Sequence, residues 1–305
     1  MAQPSLFPRA LLFDLDGTLL APGSRVTERT MNALRRARDR GTVLALATGG
    51  FSYRAQRLAR QIDGGAGRTW AMTHNGAAIW DPAGHLAHYQ TMPEGAMRAV
   101  LETAGPEVWC VYEALAGGQR TEVYYSGRRR QDLNHFVWGP EAASSAPDAQ
   151  MTARRTTRRR PAGQSHLDSV LGCWCLGTPR ALAALDSQVE HGALRGARYL
   201  AWSQRLAQIL ARPRLQIAGR DVGPLLVNKG AAAQWLCDRL GIAPAETAAF
   251  GDATNDVELL RFAGRAVAMG NATPDALAES DEVAPRNTED GVAQVLERWL
   301  DLGHL

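Results

Sequence analysis

The sequence predicts an α/β protein, a parallel sheet covered by helices and interrupted by an inserted α+β domain. Three observations predict it. Near the N-terminus, short apolar runs each lead into a segment with helical periodicity. The same rhythm resumes at Lys229. Between the two stretches lies a region rich in Val, Tyr and Trp with strand–strand spacing. Continuous apolar strands that alternate with helices form parallel sheets buried on both faces.

Leu11–Phe13 is a short apolar strand that stops at Asp14. From Val26 to Arg40, apolar Val26, Met31, Leu34 and Ala37 follow the 3.6-residue period, with Thr27 as N-cap and Gly41 as terminator. Thr42–Ala47 is a second strand, ending at Thr48-Gly49-Gly50, and a helix follows over Ser52–Ile62. Thr69–Thr73 is a third strand, ending at Asn75-Gly76. In the C-terminal part, Lys229–Leu240 is a helix, Thr247–Phe250 a strand, Asp256–Phe262 a helix, Arg265–Met269 a strand and Gly291–Leu300 a helix.

The middle contains strands at Val108–Tyr112 and Thr121–Tyr125 with a turn at Gly117-Gly118. A loop follows at Gly139–Thr152, then a strand at Leu167–Leu176 and a helix at Pro179–Val189. The reading is therefore a discontinuous Rossmann-like core of residues 1–81 and 213–305, with an α+β cap domain inserted at 82–212. Pro82-Ala83-Gly84 and Ala211-Arg212-Pro213 are the expected hinges.

Composition narrows the function classes. Hydrophobic residues make up 45% and charged residues 21% of the 305, which excludes a mostly disordered chain. The first ten residues have no signal-peptide pattern and no segment holds 18 uncharged apolar residues, so a cytoplasmic chain with no membrane span is expected. The net charge of +3 is too small to imply nucleic acid. Nine arginines against four acids between positions 120 and 160, densest at Arg128–Arg130 and Arg158–Arg160, read as a solvated surface or as a rim attracting anionic substrates. A monomer or small homo-oligomer is expected. Cys173 and Cys175 flank Trp174 and would share one face of a strand, too close for an ordinary disulfide. With Cys110 and Cys237 they read as buried thiols, since no second pair or histidine cluster completes a zinc site.

The chemistry concentrates at strand ends. In Asp14-Leu15-Asp16-Gly17-Thr18 two carboxylates sit two residues apart where the chain leaves the sheet. They would repel without a cation, and a hard divalent ion such as Mg²⁺ prefers oxygen ligands. Open α/β sheets place their sites at this edge. Gly251-Asp252-Ala253-Thr254-Asn255-Asp256 repeats the pattern at another strand end, although Asp252 or Asn255 would also serve as helix caps. Thr48 and the N–H groups behind it suit a phosphoryl oxygen at a helix start. Lys229 is the only lysine, against 33 arginines. A compact ammonium at that helix start would neutralise a carboxylate nucleophile and a transferring phosphoryl group.

These motifs, in this order, resemble the haloacid dehalogenase superfamily, specifically its Cof-type phosphatases with a type-2 cap. DxDxT is matched by Asp14, Asp16 and Thr18; the Ser/Thr of the second motif by Thr48; the lysine by Lys229; and GDxxND by Gly251, Asp252, Asn255 and Asp256. Asn75-Gly76, the Ala266–Ala272 stretch with Met269-Gly270-Asn271, and Asp290-Gly291-Val292 add to the likeness. The resemblance implies a Mg²⁺-dependent phosphohydrolase with Asp14 as nucleophile and Asp16 as acid and base. It implies Thr48 and Lys229 as phosphoryl-binding groups, Mg²⁺ held by Asp14, Asp16 through its carbonyl and Asp252, and Asp256 behind the metal. Thr18, Gly49, Asn75 and Asn255 are the expected substrate-binding positions. The implied substrate is a small phosphorylated metabolite, a sugar or polyol phosphate first. A phosphomutase using the same aspartate and a non-catalytic phosphate-binding module are the rivals. One position departs from the pattern: relatives often carry Arg where this chain has Gly50.

Overall fold

The structure is a computed structural model. It describes residues 7–302 apart from 22, 24, 66, 118–119, 128–153, 156–164, 191, 193, 195 and 202–216. Gly118 of the expected turn, Arg128–Arg130, the loop at 139–152, Arg158–Arg160 and the expected hinge at 211–213 lie outside the described residues. The chain divides into two compact units, residues 1–87 with 228–305, and residues 88–227.

The first unit is an eight-stranded sheet. Its strands are β1 (Ala10–Asp14), β2 (Val43–Ala47), β3 (Thr69–Thr73), β4 (Ala78–Trp80), β5 (Leu86–Tyr89), β12 (Thr247–Gly251), β13 (Arg265–Met269) and β14 (Glu282–Ala284), in the order β14-β13-β12-β1-β2-β3-β4-β5. From β14 to β3 every pairing is parallel, and β4 turns back antiparallel on β3. The register sets Leu12 beside Ala249 and Phe13 beside Phe250. Alternation along β1 then sends these residues to opposite faces. Leu12 joins a core with Ala233 and Leu236 of helix α5 (Lys229–Leu240) and with Leu259 and Leu260 of α6 (Val257–Phe262). On the other face Phe13 stacks on Phe250, which meets Trp299 of α8 (Gly291–Leu302). Helix α1 (Glu28–Asp39) starts at Thr27, whose hydroxyl accepts from the Thr30 N–H, and packs along α8.

The second unit is a six-stranded sheet in the order β10-β11-β9-β6-β7-β8. Its strands are β6 (Trp109–Ala116), β7 (Arg120–Ser126), β8 (Arg154–Arg155), β9 (Val170–Gly177), β10 (Ala197–Ala201) and β11 (Ala218–Pro224). All pairings are antiparallel except β7–β8. Met97 and Val100 of α3 (Ala96–Thr103) and Leu182 and Leu185 of α4 (Pro179–Glu190) form one core with Cys110, Tyr112, Cys173 and Cys175 of the sheet.

Two expected boundaries shift. Pro82-Ala83-Gly84 is the turn of the β4–β5 connection, closed by Gly84 N–H to the Asp81 carbonyl and Asp81 N–H to the His85 carbonyl. The core sheet therefore runs past it, and the division falls at 87/88 rather than 81/82. At the other end β11 pairs with β9 and β10, so residues through Val227 belong to the second unit rather than starting the core at 213.

Candidate active site

Three strand ends and one helix start meet in the first unit. β1 ends at Asp14, β2 runs into Thr48, β12 runs into Asp252, and α5 begins at Lys229. Because β2, β1 and β12 are adjacent and parallel, their C-terminal ends lie side by side.

Lys229 is fully buried between two carboxylates. Its Nζ donates to Asp14 Oδ1 at 2.5 Å and to Asp256 Oδ1 at 2.6 Å. Asn228 caps α5 by accepting from the Ala231 N–H, which fixes the helix start and with it the lysine. Burial lowers the ammonium's pKa, but the charges of Asp14 and Asp256 more than reverse this, so it stays above its ordinary value.

Asp256 has both oxygens engaged: Oδ2 accepts from the N–H groups of Asp252 and Ala253, each at 2.9 Å. This needs Gly251, since a Cβ there would lie 2.6 Å from the Asp256 Cβ. Asp256 thus shapes the loop after β12 and holds the lysine.

Asp14, Asp252 and Asp256 each bring a carboxylate oxygen within 4.8 Å of the others. Burial, then the like charge of Asp256, pushes the Asp14 carboxyl well up, with Asp252 adding to this and Lys229 opposing it. Asp14 Oδ2 is buried without a hydrogen-bond partner among the described residues. A divalent cation fits this oxygen-only set, because it relieves the repulsion among the three carboxylates. Gly17 leaves the space, with φ of +101° and a hypothetical Cβ only 2.2 Å from Asp252 Oδ2. Among the carboxylates, Asp14 and Asp252 are the ones suited to direct ligation, because Asp256 is committed elsewhere.

Asp16 does not join that carboxylate group. It accepts from Arg54 at 3.1 Å, with its side chain 23% exposed and that of Arg54 9% exposed. Arg54 lies in the first turn of α2 (Ser52–Asp63) and was not among the expected site residues. Its signal in the sequence was only its place six residues beyond Thr48.

Thr48 Oγ1 accepts from the Gly50 N–H at 2.9 Å, and its carbonyl accepts from the Asn75 N–H. Asn75 has φ of +57°, and its side-chain amide stands 3.0 Å from where a Cβ on Gly49 would be. Asn255 Nδ2 donates to Asn75 Oδ1 at 2.9 Å. Gly49, Asn75 and Asn255 are therefore one cluster. Thr18 Oγ1 is buried without a hydrogen-bond partner among the described residues. Asn271 ties the loops together, donating to the Gly17 carbonyl at 2.9 Å and to Asp252 Oδ2 at 3.2 Å.

The family model of haloacid dehalogenase-like hydrolases matches residues 11–135 and 218–296, a span that includes every residue of this cluster. The phosphatase YwpJ of Bacillus subtilis (strain 168) is 27% identical over 299 residues, covering 96% of this chain and 100% of that protein. The HMP-PP phosphatase of Cronobacter sakazakii (strain ATCC BAA-894) is 31% identical over 299 residues, covering 96% of each. In fold, the chain is similar to the crystal structure of a haloacid dehalogenase-like hydrolase from Bacteroides thetaiotaomicron, with a TM-score of 0.75 and 22% identity over 95% of this chain and 98% of that one. Among the described residues no helix is long and apolar enough to cross a membrane. The chain belongs to the haloacid dehalogenase-like hydrolase family and, within it, to the Cof-type phosphatases.

Proposed function

We propose that the chain is a Mg²⁺-dependent phosphohydrolase of small phosphorylated metabolites, working through an aspartyl-phosphate on Asp14. The observation that carries this reading is the Asp14 side chain: one oxygen is held by Lys229 at 2.5 Å, while the other is buried without a hydrogen-bond partner among the described residues. That leaves one oxygen positioned by a cation and one available to attack.

In this reading Asp14 Oδ2 forms a bond to phosphorus as the bond to the leaving oxygen breaks. Asp16 gives its proton to that oxygen, then takes one from a water that attacks phosphorus and releases Asp14. Lys229 and Thr48 bind phosphoryl oxygens, and Thr18, Gly49, Asn75 and Asn255 contact the substrate. The Asp14 carboxylate, the Asp16 carbonyl and the Asp252 carboxylate would hold Mg²⁺, with Asp256 behind them. When bound, the ion supplies charge neutralisation for the phosphoryl oxygens.

The substrate reading is a sugar or polyol phosphate. The 31% identity to an HMP-PP phosphatase favours HMP-PP as a second candidate. Phosphate release is measured across sugar phosphates, polyol phosphates and HMP-PP, with Asp14→Asn as control. Turnover of a sugar or polyol phosphate above the control supports the first reading. Preference for HMP-PP replaces the substrate and keeps the reaction. Release no faster than the control from every compound contradicts the hydrolase.

A further inference from the structure

Three thiols meet inside the second unit. Cys110 lies on β6, and Cys173 and Cys175 on β9, the two central neighbours of the six-stranded sheet. Cys110 is directly opposite Cys175, and Cys173 is two residues away on the same face. Cys110 Sγ and Cys175 Sγ are 3.7 Å apart, Cys173 Sγ and Cys175 Sγ are 3.8 Å apart, and all three sulfurs lie within 4.8 Å of one another. Each residue is at most 1% exposed, and all stand as thiols. The third sulfur escapes a reading of the sequence because it comes from 65 positions away from Cys175.

This spacing suits one atom bound by all three. Bonds of about 2.3 Å to sulfur set neighbouring sulfurs about 3.5–4 Å apart. Charge then selects the atom. The surroundings are apolar, with Met97, Val100 and Leu182 in the same core. Burial pushes the Cys173 thiol well up, and the hydrogen bond with Cys110 does so at Cys175. A complex that keeps net charge is therefore disfavoured. Three thiolates leave two negative charges around a monovalent ion, one around a divalent ion and none around a trivalent one. Arg220, opposite Cys175 on β11, offers no balance because it is bound to Asp186 at 2.7 and 2.8 Å.

We propose that Cys110, Cys173 and Cys175 form a binding site for a trivalent thiophilic element of the arsenite class. Neutral As(OH)₃ exchanges its three hydroxyls for the three sulfurs. Three As–O and three S–H bonds break, three As–S and three O–H bonds form, and three waters leave. Arsenic stays trivalent, and no charge enters the core. The product cross-links β6 to β9 and stabilises the folded chain.

The test uses the full chain with arsenite, and in parallel with Cd²⁺, both on the folded protein and during refolding from denaturant. Intact-mass spectrometry should show a gain of one arsenic less three hydrogens, with three of the four thiols lost to titration and a raised Tm. Cys237→Ser should keep the adduct, and Cys110→Ser, Cys173→Ser and Cys175→Ser should each lose it. If a serine variant does not fold, peptide mapping of the wild-type adduct decides: arsenic joining the Cys110 peptide to the Cys173–Cys175 peptide supports the site, and any other pairing overturns it. No adduct under either condition, an adduct that survives all three substitutions, or Cd²⁺ bound where arsenite is not, overturns it as well.

Discussion

The Arg54 guanidinium donates to the Asp16 carboxylate at 3.1 Å, linking the first turn of α2 to the loop after β1. If Asp16 is the acid and base, Arg54 is its positioning residue. Asp16→Asn should lower kcat by about 10²–10⁴-fold, the usual worth of such a group. Arg54→Gln should lower kcat about tenfold with little change in KM, and Arg54→Lys should recover only part, since an ammonium lacks the planar fork. Steady-state kinetics separate the outcomes: a raised KM with normal kcat would make Arg54 a substrate contact instead.

Lys229 carries a buried charge between Asp14 and Asp256, so its removal should cost both function and stability. Lys229→Ala is expected to abolish turnover and to destabilise the fold by about 3–5 kcal/mol, the cost of breaking a buried ion pair. Urea unfolding and phosphate release check the two effects. Near-normal turnover in this variant would contradict the assignment.

The carboxylate cluster should need its cation. EDTA is expected to abolish activity, Mg²⁺ to restore it, and Ca²⁺ to restore it poorly because its shell is larger and looser. Gly17→Ala should mimic chelation, because its Cβ would stand 2.2 Å from Asp252 Oδ2 at a φ of +101°. Calorimetry should show Mg²⁺ binding to wild type and not to this variant. Strain of about 1–3 kcal/mol should also appear in its stability.

In the second unit Asp186 accepts from Arg220 and from Tyr199, and the Arg220 hydrogen bonds hold its carboxyl below the ordinary value. A depressed carboxyl contributes stability above its unfolded pKa and loses it as pH falls through the folded value. Asp186→Asn should therefore be less stable than wild type at pH 7, by about 1 kcal/mol given the partly exposed carboxylate. The gap should narrow as pH falls below about 4. Denaturant titrations across this range test it, and a gap that widens toward acid would contradict the pairing.

Much of the fold was legible because the buried parallel strands are continuous apolar runs ending in polar motifs. Thr69–Thr73, Lys229–Leu240 and Arg265–Met269 have the same bounds in sequence and structure. The strands β4, β5, β8, β10, β11 and β14 give no clear strand signal in the sequence. They are short or polar, and β11, with Gly219, Arg220, Asp221 and Gly223, owes its place to pairing with β9 and β10 rather than to its own pattern. The strand-end motifs point to Asp14, Asp252 and Lys229, which the structure brings together. Arg54 was not legible, because its link to Asp16 spans 38 positions and depends on how β1 and α2 meet. The meeting of Cys110 with Cys173 and Cys175 likewise depends on strand register.

The central claim is that Asp14 takes the phosphoryl group. The direct measurement is a rapid acid quench of the enzyme turning over a radiolabelled phosphate monoester, followed by peptide mapping. Label is expected on the Asp14 peptide, removable by hydroxylamine as an acyl phosphate, and absent from Asp14→Asn. Steady turnover with no label at Asp14, or label on another residue, would contradict the account.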